Sequence, residues 1–470
     1  MSKLKGKSAW SIADNFSQQA ISFVIFAVLA RWLTPQEFGL LAIAHLIVQL
    51  VRFTILDAIA MPVVRGKDAG DEGFNWLFTL CTVVSLVIAM LMALSSPLLA
   101  RFFSAPSLVP VLFGMSLVVV LFGLVRAHEA RLLREGNFRL LAIRSICSVC
   151  AGGAVAVYMA YRGAGAMALV AQQLTTGIVA LLIALAAEWR TWRPHWVWSN
   201  RLIRVHAKEI GGVGTSALLN YANNNGDTAL VSLLIGPYAT GLYNLAKRVL
   251  SAAFLIIAVS LGRVSVTLFV QQQSDPDALR RSYARILGTT LLLLAPVYSI
   301  STALATPLVT IVFGPQWLPS VPLFGWMAVA YLCQAAFSLG QNLSFATGHA
   351  ARVPKFALAQ LLLALSVALV LSQWMDVTGV AAGFAIGSIV GMLAMQLSVK
   401  RQLELPFFSF VLATLPALIG SIFGVAIVLG LPFTGLTVTG WISLVSTGVA
   451  GLIAYGGSAE LTRLLLKLRK

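Results

Sequence analysis

Apolar stretches of about 20 residues, the length a helix needs to cross a bilayer, follow one another along this chain with short polar interruptions. They place helices at about 9–32, 38–62, 74–98, 107–128, 138–161, 164–188, 210–235, 238–268, 284–312, 320–346, 354–374, 378–399, 408–430 and 438–458. The two-residue alternation of a membrane strand is missing, and the stretches are too long and too apolar for the helices of a soluble core. The pattern predicts an all-α integral membrane protein with about fourteen transmembrane helices.

Two of the interruptions read alike. "ARWLTPQEFGLLAIA" at 30–44 aligns with "SLLIGPYATGLYNLA" at 232–246, so that Pro35 meets Pro237, Gly39 meets Gly241, Leu40 meets Leu242 and Ala44 meets Ala246. "PLLARFFSAPSL" from Pro97 and "PLVTIVFGPQWL" from Pro307 form a second, weaker pair in the same order. Six predicted helices separate the members of the first pair. An even number implies that the two copies insert with the same orientation, about a pseudo-two-fold along the membrane normal. The repeat divides the chain into a six-helix lobe at 1–188, a linker at 189–209, a second six-helix lobe at 210–399, and two further helices with a basic tail at 400–470. In the linker, Trp189, Trp192, Trp196 and Trp198 alternate with basic residues, the pattern of an amphipathic segment at headgroup level.

Charge turns the helix count into a topology. Only 10% of residues are charged, against about 25% in a soluble domain, and the net charge is +17. With the N-terminus inside, 26 of the 33 Lys and Arg fall on the cytoplasmic side, among them Arg126, Arg131, Arg134, Arg139 and Arg144 of one connection. The outer side holds Arg31, Arg101 and Arg162. This asymmetry predicts cytoplasmic N- and C-termini. No nucleic-acid motif accompanies the positive charge. Cys147 and Cys150 form a CxxC, but within an apolar helix they read as small packing residues rather than a redox pair.

Ionisable residues inside apolar helices are costly and tend to face water-filled cavities. Helix 2 carries His45, Gln49 and Arg52 at i, i+4 and i+7, and the repeat maps His45 and Gln49 onto Lys247 and Ser251, with Arg248 adjacent. Arg52, Lys247 and Arg248 are therefore the expected substrate-binding cations. His45, Gln49, Gln18, Asn220, Asn224, Gln334 and Asn342 are the expected polar lining. Asp227, Asp14 and Asp57 are the candidates for a coupling proton or Na⁺. Asp14 also lies where capping, or pairing with Lys3 or Lys7, accounts for it. Asp57, five residues after Arg52, is roughly 140° away around a regular helix. Gly383, Gly387 and Gly391 form a GxxxGxxxG packing face. No HExxH, GxSxG or Walker loop is present, so neither enzyme, metal site nor cofactor is expected.

"LARWLTPQEFGLLAIA", "LLREGNFRLLAI", "GLYNLAKRV" and "VFGPQWLPSVPLF" together resemble the Wzx-like polysaccharide transporter family of the multidrug/oligosaccharidyl-lipid/polysaccharide flippase superfamily, over about residues 5–400. The resemblance implies two lobes and export of an undecaprenyl-diphosphate-linked oligosaccharide to the periplasmic leaflet by alternating access. It also implies membrane lipids, a polysaccharide polymerase and chain-length machinery as partners, and a role in exopolysaccharide, capsule or O-antigen synthesis. Two other readings are a cation-coupled drug exporter on the same fold, which predicts an acidic cavity, and a non-transporting membrane assembly protein, which needs no cationic stripes.

Overall fold

A computed structural model describes residues 17–66, 70–404, 407–430, 438 and 440–468, and every regular element among them is helical. In chain order these are α1 (Ser17–Leu29), α2 (Pro35–Arg65), α3 (Asp71–Phe102), α4 (Leu108–Glu135), α5 (Phe138–Tyr161) and α6 (Ala166–Glu188). Next come α7 (Asn200–Leu234), α8 (Pro237–Gln271), α9 (Pro276–Ala303), the short α10 (Ala305–Val312) and α11 (Val321–Ala346). The helical run Val353–Leu403 is broken by the non-helical backbone of Asp376 into α12 (353–375) and α13 (377–403). The described residues end with α14 (Phe407–Gly430) and α15 (Trp441–Leu468).

All fourteen expected helices are present among the described residues, and the ninth, expected at 284–312, is split at Leu304 into α9 and α10. Ten helical runs are long and apolar enough to cross a membrane, one of them containing both α12 and α13. The described part of α1 and the 414–430 part of α14 are apolar but shorter. α7 is long enough but more polar. It begins at Asn200 rather than near 210, because Ser199 caps it by accepting from the Leu202 N–H at 3.3 Å. On α3, Leu86, Met90, Leu94 and Leu98 form an exposed apolar stripe at helical spacing. In water such a stripe would drive association; in a bilayer it is the surface that lipid covers.

The chain divides into two compact units, Met1–Gly241 and Leu242–Lys470. This contact boundary falls later than the repeat boundary because α7 packs on α2 of the first unit. The Tyr221 hydroxyl donates to the Leu46 carbonyl at 2.7 Å, and a Cβ on Gly214 would lie 2.8 Å from the Thr54 carbonyl oxygen. Of the linker, 189–199 runs without helix and 200–209 forms the first turns of α7. The run is strapped to α3. The Asn75 side-chain oxygen accepts from the Trp192 indole and the His195 N–H, both at 3.1 Å, and the Thr79 hydroxyl accepts from the Val197 N–H at 2.9 Å. Trp192 is buried beside the His128 ring, where His128 pairs with Glu188, while Trp189, Trp196 and Trp198 are exposed. Cys147 and Cys150 are also exposed, on one face of α5, and so do not pack as the sequence suggested.

The repeated corner has a structural counterpart inside the first unit. Thr34 caps α2 through a capping box with Glu37, and Pro35 supplies the fixed φ of the first turn. Gly236, in left-handed backbone at φ 106°, precedes Pro237 in the other copy. The two copies meet reciprocally. A Cβ on Gly39 would fall on the Pro237 carbonyl, and a Cβ on Gly241 would fall on the Pro35 carbonyl. Glycine is required at both positions because each copy's backbone fills the place of the other's side chain.

The second unit is built around a helical hairpin. Gly383, Gly387 and Gly391 of α13 lie against Ala368, Ala364 and Gln360 of α12, a descending series that shows the chain doubling back at Asp376. α14 and α15 pack together beside α9, and the Tyr455 hydroxyl donates to the Leu292 carbonyl at 2.8 Å.

Candidate functional site

The strongest concentration of charge in the first unit lines a cavity of about 200 Å³ between α1, α2, α4, α5 and α6. α2 does not reach it as a regular helix. Residues Arg52–Leu56 form a single π turn, in which the Asp57 N–H donates to the Arg52 carbonyl. A π turn closes five residues apart, so Arg52 and Asp57 lie much nearer one side of α2 than the 140° of regular geometry. Such turns persist where a side chain must be re-aimed. Here Arg52 points into the cavity, its guanidinium 4.8 Å from the centre of the Phe122 ring.

α4 and α5 supply the remaining charges. Arg126 reaches Glu129, one α-helical turn away, at 2.8 Å and Asp57 at 3.3 Å. Arg144 reaches the other oxygen of Glu129 at 2.6 Å. Glu129 thus bridges two guanidiniums with its two oxygens. The Arg144 side chain is 10% exposed and that of Arg126 14%. Ionised groups so far from water persist only when paired, and this chain of contacts supplies the pairing. It leaves capacity unused: Arg126 Nε and Arg144 Nε have no hydrogen-bond partner. Arg52 has no carboxylate within 4.0 Å among the described residues. Three arginines against Asp57 and Glu129 leave one net positive charge.

The sequence-predicted residues distribute unevenly around this cavity. Gln18, Gln49 and Arg52 line it, and Asp57 joins its charge network. His45 sits one turn before Gln49, with its Nε2 3.0 Å from the Gln49 amide nitrogen. Asn220 and Asn224 lie on the exposed face of α7, where their amides donate to the Ser216 and Asn220 carbonyls. Asp227 accepts from the Thr228 N–H at 2.7 Å. Lys247 and Arg248 are half-buried on α8 in the second unit. In that unit Gln334 accepts from Gln360 at 3.1 Å, and Asn342 donates to the Gly262 carbonyl at 3.2 Å. Both amides link helices. Asp14 lies outside the described residues.

Arg126, Glu129 and Arg144 are the residues that sequence reasoning missed. The two arginines were counted with a basic cytoplasmic connection, whereas the structure buries Arg144 and half-buries Arg126 on helix faces. The signal was present: Arg126 and Arg144 fall within the helix limits 107–128 and 138–161, and Glu129 stands one helical turn from Arg126.

Comparison with known proteins agrees with this architecture. A family model described as "Polysaccharide biosynthesis protein" matches residues 28–322, more than half of the chain. The succinoglycan biosynthesis transport protein ExoT of Rhizobium meliloti (strain 1021) is 28% identical over 68% of this chain, and the match spans 65% of ExoT. The lipopolysaccharide biosynthesis protein WzxC of Escherichia coli (strain K12) is 22% identical over 81% of this chain and 77% of its own length. Among solved structures, the lipid II flippase MurJ in an inward closed conformation superposes with a TM-score of 0.77. It covers 97% of this chain and 99% of MurJ at 14% identity, so it establishes a shared fold through to the last two helices.

Proposed function

Because the chain belongs to the polysaccharide biosynthesis protein family, we propose that it is a flippase of bacterial surface-polysaccharide synthesis. It carries an undecaprenyl-diphosphate-linked oligosaccharide from the cytoplasmic to the periplasmic leaflet of the inner membrane by alternating access. The observation that carries this reading is the cavity in which three arginines face two carboxylates among helices of a multi-pass membrane protein. A diphosphate is too polar and too anionic to enter hydrocarbon unaided. Guanidiniums are the groups best suited to hold it, since their planar forks match phosphate oxygens. Gln18 and Gln49 on the same wall suit sugar hydroxyls, while the polyprenyl tail stays in lipid.

A cation-coupled drug exporter would instead need a cavity of net negative charge, and here the balance is positive. The distribution of basic residues supports a cytoplasmic orientation of both termini, and membership of the family supports hand-over to a polymerase and chain-length machinery. Neither requires an enzymatic step by this chain. The inside-negative potential assists the outward step, by about 2.3 kcal/mol per charge per 100 mV.

Arg52→Ala tests the reading. In a strain that depends on this chain for polymer export, it should lower surface polymer roughly ten- to a hundredfold, the worth of one charge-assisted hydrogen bond, at unchanged protein abundance. Export at the parental level would remove Arg52 from substrate binding.

A further inference from the structure

We propose that Glu129 is an internal stand-in for the substrate's phosphate, holding Arg126 and Arg144 in the empty carrier and giving them up when the diphosphate binds. The inference rests on the transport reading above and adds a residue with a defined role. Glu129 places one oxygen on each guanidinium, at 2.8 Å and 2.6 Å, as a bridging phosphate group would. Its side chain is 19% exposed and lines the cavity, so an incoming anion can reach the same two partners.

The donor count favours exchange. A carboxylate has two oxygens, and with Glu129 in place Arg126 Nε and Arg144 Nε remain without hydrogen bonds. A diphosphate brings more oxygens and can satisfy these donors together with Arg52, the cavity cation without a carboxylate. The volume of about 200 Å³ far exceeds the roughly 30 Å³ of one water. The other groups around Glu129 do not compete for its place. Asp57 on α2 faces Arg126, and Gln173 and Thr176 on α6 are uncharged.

The exchange also accounts for the return half of the cycle. A buried guanidinium stripped of its partner is strongly unfavourable, so an empty carrier in which Asp57 alone faced three arginines would resist reorientation. With Glu129 restored, Arg126 and Arg144 are neutralised from within, and only Arg52 retains an uncompensated charge.

The test uses the full chain in nanodiscs, with inorganic pyrophosphate in the presence of EDTA as the probe. Glu129→Gln keeps the shape and removes the competing charge, so it should bind pyrophosphate on the order of tenfold more tightly than the parent. Its melting temperature without ligand should be lower, and pyrophosphate should raise it by more than it raises the parent's. Glu129→Asp, retracted by one methylene, should fall between the two and serves if the glutamine variant does not fold. Unchanged or weaker binding in these variants, with Arg52→Ala still weakening it, overturns the role of Glu129 alone. If Arg52→Ala leaves pyrophosphate binding intact, the anion-site reading itself is overturned.

Discussion

The two units handle their interior polar groups in different ways. In the first, α2, α4 and α5 bring Arg52, Asp57, Arg126, Glu129 and Arg144 together around a cavity. In the second, the inward-facing groups are mostly neutral and bind helix to helix: Gln334 with Gln360, Asn342 with the Gly262 carbonyl, Tyr283 with Gln396, and Gln396 with the Ala336 carbonyl. Neutral amide and hydroxyl bonds fix helix positions at small cost to lipid solubility. Paired charges cost more to bury and gain mainly where a charged ligand must be met. The first unit therefore carries a cluster of paired charges around a cavity, and the second a neutral clamp between helices.

The largest effect that separates the two is expected from Arg144→Ala. It leaves Glu129 with Arg126 alone and should destabilise the protein by about 3 kcal/mol, the lower end for breaking a buried ion pair. Thermal unfolding in detergent measures this. A loss no greater than that of a neutral hydrogen bond would erase the contrast between the units.

Next come the paired corners, the place where the copies are equivalent. Gly39→Leu and Gly241→Leu each drive a side chain into the other copy's proline carbonyl. Each should cost about 1–3 kcal/mol as overpacking, and the double variant should cost less than the sum, since one separation relieves both clashes. Strict additivity of the two melting-temperature losses would show that the corners do not act as one contact.

Smaller still is the effect in the neutral clamp. Gln334→Leu strands the Gln360 amide and should cost about 1 kcal/mol, while Gln334→Leu with Gln360→Leu should recover most of it. A double variant as impaired in polymer export as Arg52→Ala would give the second unit a ligand role as well.

The smallest perturbation concerns orientation. Lys3→Cys and Lys470→Cys should leave export unchanged and react with an impermeant maleimide only after the inner membrane is opened. Labelling in intact spheroplasts would invert the topology, and with it the leaflet from which the cavity loads.

Much of this molecule was legible before folding. Helix existence depends on the hydropathy of about 20 neighbouring residues, so all fourteen runs, the hairpin at Asp376 and the glycine face of α13 could be read locally. The repeated corner was legible for the same reason, since Pro35, Gly39, Pro237 and Gly241 recur in order. Their mutual contact was not, because nothing along the chain states that a glycine's missing side chain is replaced by a carbonyl 198 residues later. Arg52 was found because it interrupts an apolar helix. Arg126 and Arg144 were misread because a charge near a helix end has the same sequence signature whether it faces the cytoplasm or turns inward. Which way it turns depends on partners from other helices, here Asp57 and Glu129, and on a π turn in α2 that no residue pattern announces. Hydropathy fixes where the chain enters lipid. Only the packing of α2, α4 and α5 decides which charges meet.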